Sequence, residues 1–150
     1  MPTNLDDLLP PANDMRKEIA VAEAAKAAAE MRKHEDAEAE KKALIDHLTK
    51  PSGVSEEEGV KRGASIVRRA VNAGLTEVQV YRFPNQLCTD RGRAINQMEA
   101  GWEKTLTGVP QEIYQLWHKH FRPRGYKLKV QIVDFPNGMP GDVGMFLTWE

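Results

Sequence analysis

Between Asn13 and about Thr49 the chain has neither glycine nor proline, so nothing there interrupts a helix. EIAVAEAAKAAAEM, in the first half of this run, is rich in alanine, which loses little freedom on becoming helical. One long helix is expected, with Asn13 or Asp14 as its cap. The following RKHEDAEAEKK is charged all round, and although Glu38 and Lys42 form a favourable i,i+4 pair, no apolar heptad continues through it. The helix reads as a solvated arm. Met15, Ile19 and Ala22 near one end, and Leu44, Ile45 and Leu48 near the other, recur at helical spacing. They make the arm a candidate for docking a protein partner or a second copy. The leader from Met1 to Asn13 holds three prolines and little to bury, and reads as disordered.

Pro51-Ser52-Gly53 ends the arm and divides the chain into 1–51 and a compact domain at 52–150. A length of 150 residues suits one core with an appendage. Residues 1–51 hold eight Lys/Arg against eleven Asp/Glu (−3), and residues 52–150 hold thirteen against eleven (+2). Neither half has the charge of an obligate nucleic-acid binder. No apolar run reaches the length of a membrane span, and the acidic, proline-containing start is unlike a signal peptide. With Cys88 as the single cysteine, these features point to a cytoplasmic protein without an intrachain disulfide.

Ser55 and Glu58 have capping-box spacing, Glu56 and Glu57 complement the start of the helix dipole, and Gly74 suits its left-handed end. Val60, Ala64, Val67 and Val71 form the expected buried stripe. A strand follows at about 77–83, stopped by Pro84. A helix is expected over Asp90–Lys104 with Thr89 as cap and Ile95, Met98 and Trp102 facing inward. Another follows Pro110, with Ile113, Leu116, Trp117 and Phe121 apolar, and closes at Pro123 and Gly125. Tyr126, Leu128, Val130 and Ile132 alternate with polar residues as a half-buried strand. After the turn at 137–141, Val143, Met145, Leu147 and Trp149 line a returning strand. The class is α/β (or α+β): a small mixed three-stranded sheet packed by about three helices, with a long helical arm.

Two segments echo each other. VQVYRFPN (78–85) and VQIVDFPN (130–137) share five of eight positions. Val54 precedes the first VQ by 24 positions and Val109 the second by 21, so the echo reads either as a duplicated helix-plus-strand unit or as repeated turn chemistry. If the two strands run parallel, both FPN segments leave the same edge of the sheet. Ligands favour the carboxyl ends of parallel strands. That edge, at 84–93 and 136–142, is the leading binding site, with Asn85, Gln86, Arg91, Arg93, Asn137 and Asp142 as polar contacts and Cys88 and Thr89 beside them. The competing reading is that both segments merely terminate strands, with Phe buried and Asn shaping the turn.

Two other chemistries have residues to carry them. Cys88-Thr89-Asp90-Arg91-Gly92-Arg93, placed between a strand and a helix, resembles the phosphate-binding loop of cysteine-dependent phosphatases. The resemblance implies a phosphate-ester hydrolase with Cys88 as nucleophile and Arg93 on the anion. In that family five residues separate cysteine from arginine; here four do, Ala94 stands at the arginine position, and Asp90 places a repelling carboxylate in the loop. The segment HKHFRPRGYKLK supplies Lys119, Arg122, Arg124, Lys127 and Lys129 with Phe121 and Tyr126, a pattern for RNA or single-stranded DNA. Phe121 and Tyr126 also fit the core pattern. His118 and His120 are two apart, on different sides of a helix, and His34 and His47 lie on the arm, so no metal site is expected. No Walker, dinucleotide or G-x-S-x-G motif appears, and no cofactor is indicated. The sequence therefore points to a binding or interaction domain rather than an enzyme.

Overall fold

The computed structural model describes residues 8–150, which fall into two compact units, one up to Ala43 and one from Leu44 to Glu150. Helix α1 spans Ala12–Thr49, a 38-residue element with no buried residue. It starts ahead of both expected caps, with the Asp14 N–H bonded to the Pro11 carbonyl inside the first turn. The expected leader lies mostly outside the described residues. At the other end Ile45 and Leu48 pack against the main core, so the last turn of α1 is part of the second unit. Among the described residues no helix is long and apolar enough to cross a membrane.

Helix α2 (Glu56–Asn72) begins as the sequence leads one to expect, with Ser55 Oγ accepting from the Glu58 N–H at 3.2 Å. Only half of the capping box forms, because the Glu58 carboxylate turns forward to Arg62 Nε at 3.2 Å. Gly74, at φ 79°, closes the helix while the Leu75 N–H reaches back to the Ala70 carbonyl. The buried stripe is rotated from the expected one. Val67 and Ala70 are buried, whereas Ala64 and Val71 are exposed. The cause is the glycine side of the helix: a Cβ at Gly59 would stand 2.8 Å from Leu116 Cδ2, and one at Gly63 would stand 2.7 Å from Phe121 Cζ. Without side chains there, α2 turns that side toward the next long helix, α4 (Gly108–Leu116), and the residues that follow it.

Strands β1 (Glu77–Phe83), β2 (Lys127–Ile132) and β3 (Val143–Thr148) make one sheet in the order β1-β3-β2. The fold is α+β with three strands, as expected, but both ladders are antiparallel, so the sheet is not the mixed one expected. The last strand of the chain inserts between the other two, so β1 and β2 point the same way without pairing. Both FPN segments consequently leave the same end of the sheet. The echo is not in structural register: Val78 and Leu128 both align with Leu147, and Phe83 and Ile132 both align with Val143. Phe83 is 1% exposed and Phe135 is 52% exposed, so the two copies do different things.

The expected helix over Asp90–Lys104 is replaced by helix α3 (Arg93–Asn96) and a 3-10 turn at Trp102–Thr105. Arg91, Gly92, Met98 and Gly101 have positive φ, which breaks the run, and Met98 is 90% exposed instead of inward. Cap duty falls to Asp90, whose carboxylate accepts from the N–H groups of Gly92 and Ala94. An isolated bridge between Cys88 and Leu106 closes the segment at its base. After α4 the backbone widens into a π turn at Trp117–Phe121 and ends at Pro123 and Gly125. Phe83, Leu87, Val143 and Met145, each at most 1% exposed, form the centre of the core.

Candidate functional site

The strand-end edge assembles as the topology requires, and its polar groups largely satisfy one another. Arg82, at the end of β1, donates from Nε to Asp142 at 3.0 Å and from Nη2 to Asp134 at 3.1 Å. Asp134 also accepts the Asp142 N–H at 2.6 Å, and its carbonyl takes the Gly141 N–H. Asn85 Nδ2 donates to the Pro140 carbonyl at 2.7 Å. Asn85 and Asp142 are thus brought together, each in a bond that shapes the loop. Gln86, Arg91 and Asn137 stay exposed, Asn137 in the left-handed region at φ 54° that asparagine tolerates. Phe135 and Met139 stand out from this fixed loop at 52% and 67% exposure.

Cys88 occupies an extended position in the bridge to Leu106, not the start of a helix. It is 2% exposed and belongs to the main core. Burial, with a smaller contribution from the Asp90 carboxylate, pushes its thiol up to about 11. The sulfur is therefore protonated at neutral pH, opposite to what a nucleophile needs. The N–H groups of Gly92 and Ala94, which an anion cradle would use, are taken by Asp90. Arg93 pairs with Glu99 at 3.0 Å. The loop lacks the donors and the thiolate that the phosphatase resemblance implied.

The basic segment is divided between two surfaces. Lys119 and His120 both reach Glu56, at 3.0 and 3.1 Å, and hold its carboxyl below the ordinary carboxylate range. Arg122 contacts His118 at 2.8 Å. Lys129 bridges to Glu77 on the open sheet face, 5.2 Å over the Phe146 ring, with Lys127 on the same face of its strand. Arg124 is exposed. Phe121 and Tyr126 stack edge to face at 5.7 Å in the second core cluster, so neither ring is free to stack a base. Among the described residues no group of three His, Cys, Asp or Glu could hold a metal.

Sequence reasoning missed a cleft between α2, α4 and the sheet. Its volume is about 310 Å³. Val80, Leu128 and Leu147 form the floor, Ile66, Ile113 and Leu116 the walls. The ladder slips between Gln79 and Tyr81, a bulge at Val80. A bulge reverses the alternation beyond it. Val78, Tyr81 and Phe83 therefore all lie opposite inward residues of β3, and Tyr81 is half-buried in the cleft lining instead of on the open face. Burial raises its phenol above the ordinary range. At the mouth, Ser52 Oγ donates to Glu112 Oε2 at 2.6 Å. The available signal was a pair of glycines one turn apart within a helix, where each is unfavourable by about 1 kcal/mol against alanine. Comparison with known proteins leaves the geometry to speak alone: no family model, no curated protein and no solved structure matches this chain.

Proposed function

We propose that the second unit is a non-catalytic binding domain that holds a small apolar ligand in the cleft, with the Tyr81 hydroxyl as its polar contact. The bulge at Val80 carries this reading, because it turns a tyrosine into a pocket whose lining is mostly aliphatic and aromatic, with Ser52, Ser55, Arg62 and Glu112 as the other polar residues. The cleft volume, about 310 Å³, sits at the small end of ligand pockets, roughly 300–1,000 Å³. A bicyclic aromatic alcohol has the matching chemistry. Titration with 2-naphthol, followed by amide NMR, is expected to give saturable shifts at Val80, Ile113 and Leu128. Tyr81→Phe should weaken binding several-fold, and Leu116→Trp, which fills the cleft, should abolish it. Absence of saturable shifts, or equal binding by the filled variant, would remove the reading.

A second reading keeps the strand-end loops as the site and makes the ligand a protein. It is supported by Phe135 and Met139, two exposed apolar side chains on a loop fixed by Asp134. Recognition surfaces present such anchors on rigid backbone. In this reading α1 is an element for association with a partner or a second copy, supported by the exposure of Ile19 and Val21 (58% and 70%). A cytoplasmic location goes with either reading. Light scattering of Ile19→Glu against the unaltered chain tests the arm, and an unchanged subunit number excludes it from self-association.

A further inference from the structure

α2 carries an apolar row along the edge of the second core cluster: Val67 is buried in it and Val60 half-buried against it, while Ala64 and Val71 are exposed. Val60, Ala64, Val67 and Val71 follow one another at helical spacing and, with Phe121 and Tyr126, line a groove of about 490 Å³ beside the 120–126 segment. Val71 is 49% exposed. The remaining lining residues are Arg68, Arg124 and His120, with no carboxylate among them. His120 faces Glu56 at 3.1 Å, so that part of the rim has its counter-charge. Arg68 and Arg124 have no ion-pair partner among the described residues.

The row from Val60 to Val71 covers eleven residue steps, about 16 Å of helix at 1.5 Å per residue. That is an open trough three turns long with cations beside it, a shape that accepts the apolar side of another helix. A compact small molecule would leave much of it uncovered. We propose that this groove docks an acidic amphipathic helix of a protein partner, its leucine-type residues on the valine row and its carboxylates against Arg68 and Arg124. The inference is independent of the cleft on the other side of α2, although Phe121 lines both.

The test uses the full chain and two capped synthetic peptides of about 14 residues, roughly 21 Å as helix. Both carry leucine at i, i+3, i+4 and i+7; one has glutamate and the other lysine at the flanking positions. The glutamate peptide is expected to bind saturably by fluorescence anisotropy, to weaken with added salt, and to shift the amides of 60–71 and 120–126. The lysine peptide should not bind. Arg68→Glu with Arg124→Glu should weaken the glutamate peptide at least tenfold and admit the lysine peptide. Should that variant lose its circular dichroism signal, Val71→Asp, at an exposed position, tests the same contact and should also reduce binding. Equal binding of both peptides, no saturable binding of the glutamate peptide, or shifts elsewhere would overturn the proposal. So would binding of phosphatidylglycerol vesicles in place of the peptide, which would assign the cations to a membrane surface.

Discussion

The side chain of Asn85 donates to the carbonyl of Pro140 at 2.7 Å, tying the loop that leaves β1 to the loop that follows β2. The bond is half-buried, and Asn85→Ala leaves that carbonyl without this donor. A loss of about 1 kcal/mol is expected. It should appear as a lower urea midpoint with an unchanged slope. Asn85→Asp should cost more, because it sets a carboxylate against the carbonyl oxygen. A midpoint unchanged in both variants would show that the tie carries no stability.

Asp134 is the residue on which this edge depends, more than Arg82. Arg82→Ala removes two ion pairs whose members are all more than a third exposed, and such pairs contribute at most about 1 kcal/mol. Asp134→Ala removes one of those pairs and the acceptor of the Asp142 N–H. A cost of roughly 1–3 kcal/mol follows. The arginine variant should lose its effect at high salt and the aspartate variant should keep most of its own. Denaturation at two salt concentrations checks the ranking, and the reverse order would contradict it.

Local chemistry was legible where one interaction decides the structure. Ser55 caps α2, Gly74 ends it, and the alternation of Leu128, Val130 and Ile132 places β2. The meeting of both FPN segments at one sheet end was also legible, since a long helical connection lets β1 and β2 point the same way. What they do there was not. Arg82 and Asp142 are 60 residues apart, and no periodicity reveals that the carboxylates face an arginine instead of a ligand. The spacing of Ile95, Met98 and Trp102 imitates a helix, but Asp90 caps a single short turn and the Cys88–Leu106 bridge fixes both ends of the segment. The cleft depends on a bulge and on the rotation of α2 about its glycines, both set by packing between distant elements.

Cys88 should behave as a core residue. Its thiol lies at about 11 in the folded chain against an ordinary 9.0, so between those values the folded state holds a proton that the unfolded state releases. Because the folded pKa is the raised one, its contribution is complete below pH 9 and is lost as pH rises through about 11. The full loss is roughly 3 kcal/mol. Urea unfolding at pH 8 and pH 10.5 should show a steeper alkaline decline in the unaltered chain than in Cys88→Ala. Alkylation at pH 8 should be slow and should accelerate only with denaturant. Rapid alkylation of the native chain at pH 8 would show a reactive thiol and reopen the hydrolase reading.

The glycines of α2 separate two effects of opposite sign. Replacing a helical glycine by alanine stabilises the helix by about 1 kcal/mol, whereas overpacking costs roughly 1–3 kcal/mol. At Gly59 the obstacle is the end of the Leu116 side chain, which is half-buried and can rotate away, so Gly59→Ala should be close to neutral. At Gly63 it is the ring of Phe121, 8% exposed and stacked on Tyr126, which moves only by giving up that packing. Gly63→Ala should therefore destabilise by up to about 2 kcal/mol, the overpacking cost less the helix gain. A further change, Phe121→Leu, should rescue it by removing the ring. Thermal unfolding of the two single variants and the double variant distinguishes these outcomes. A Gly63→Ala chain more stable than the unaltered one would mean that the ring moves freely, and that α2 does not owe its rotation to these contacts.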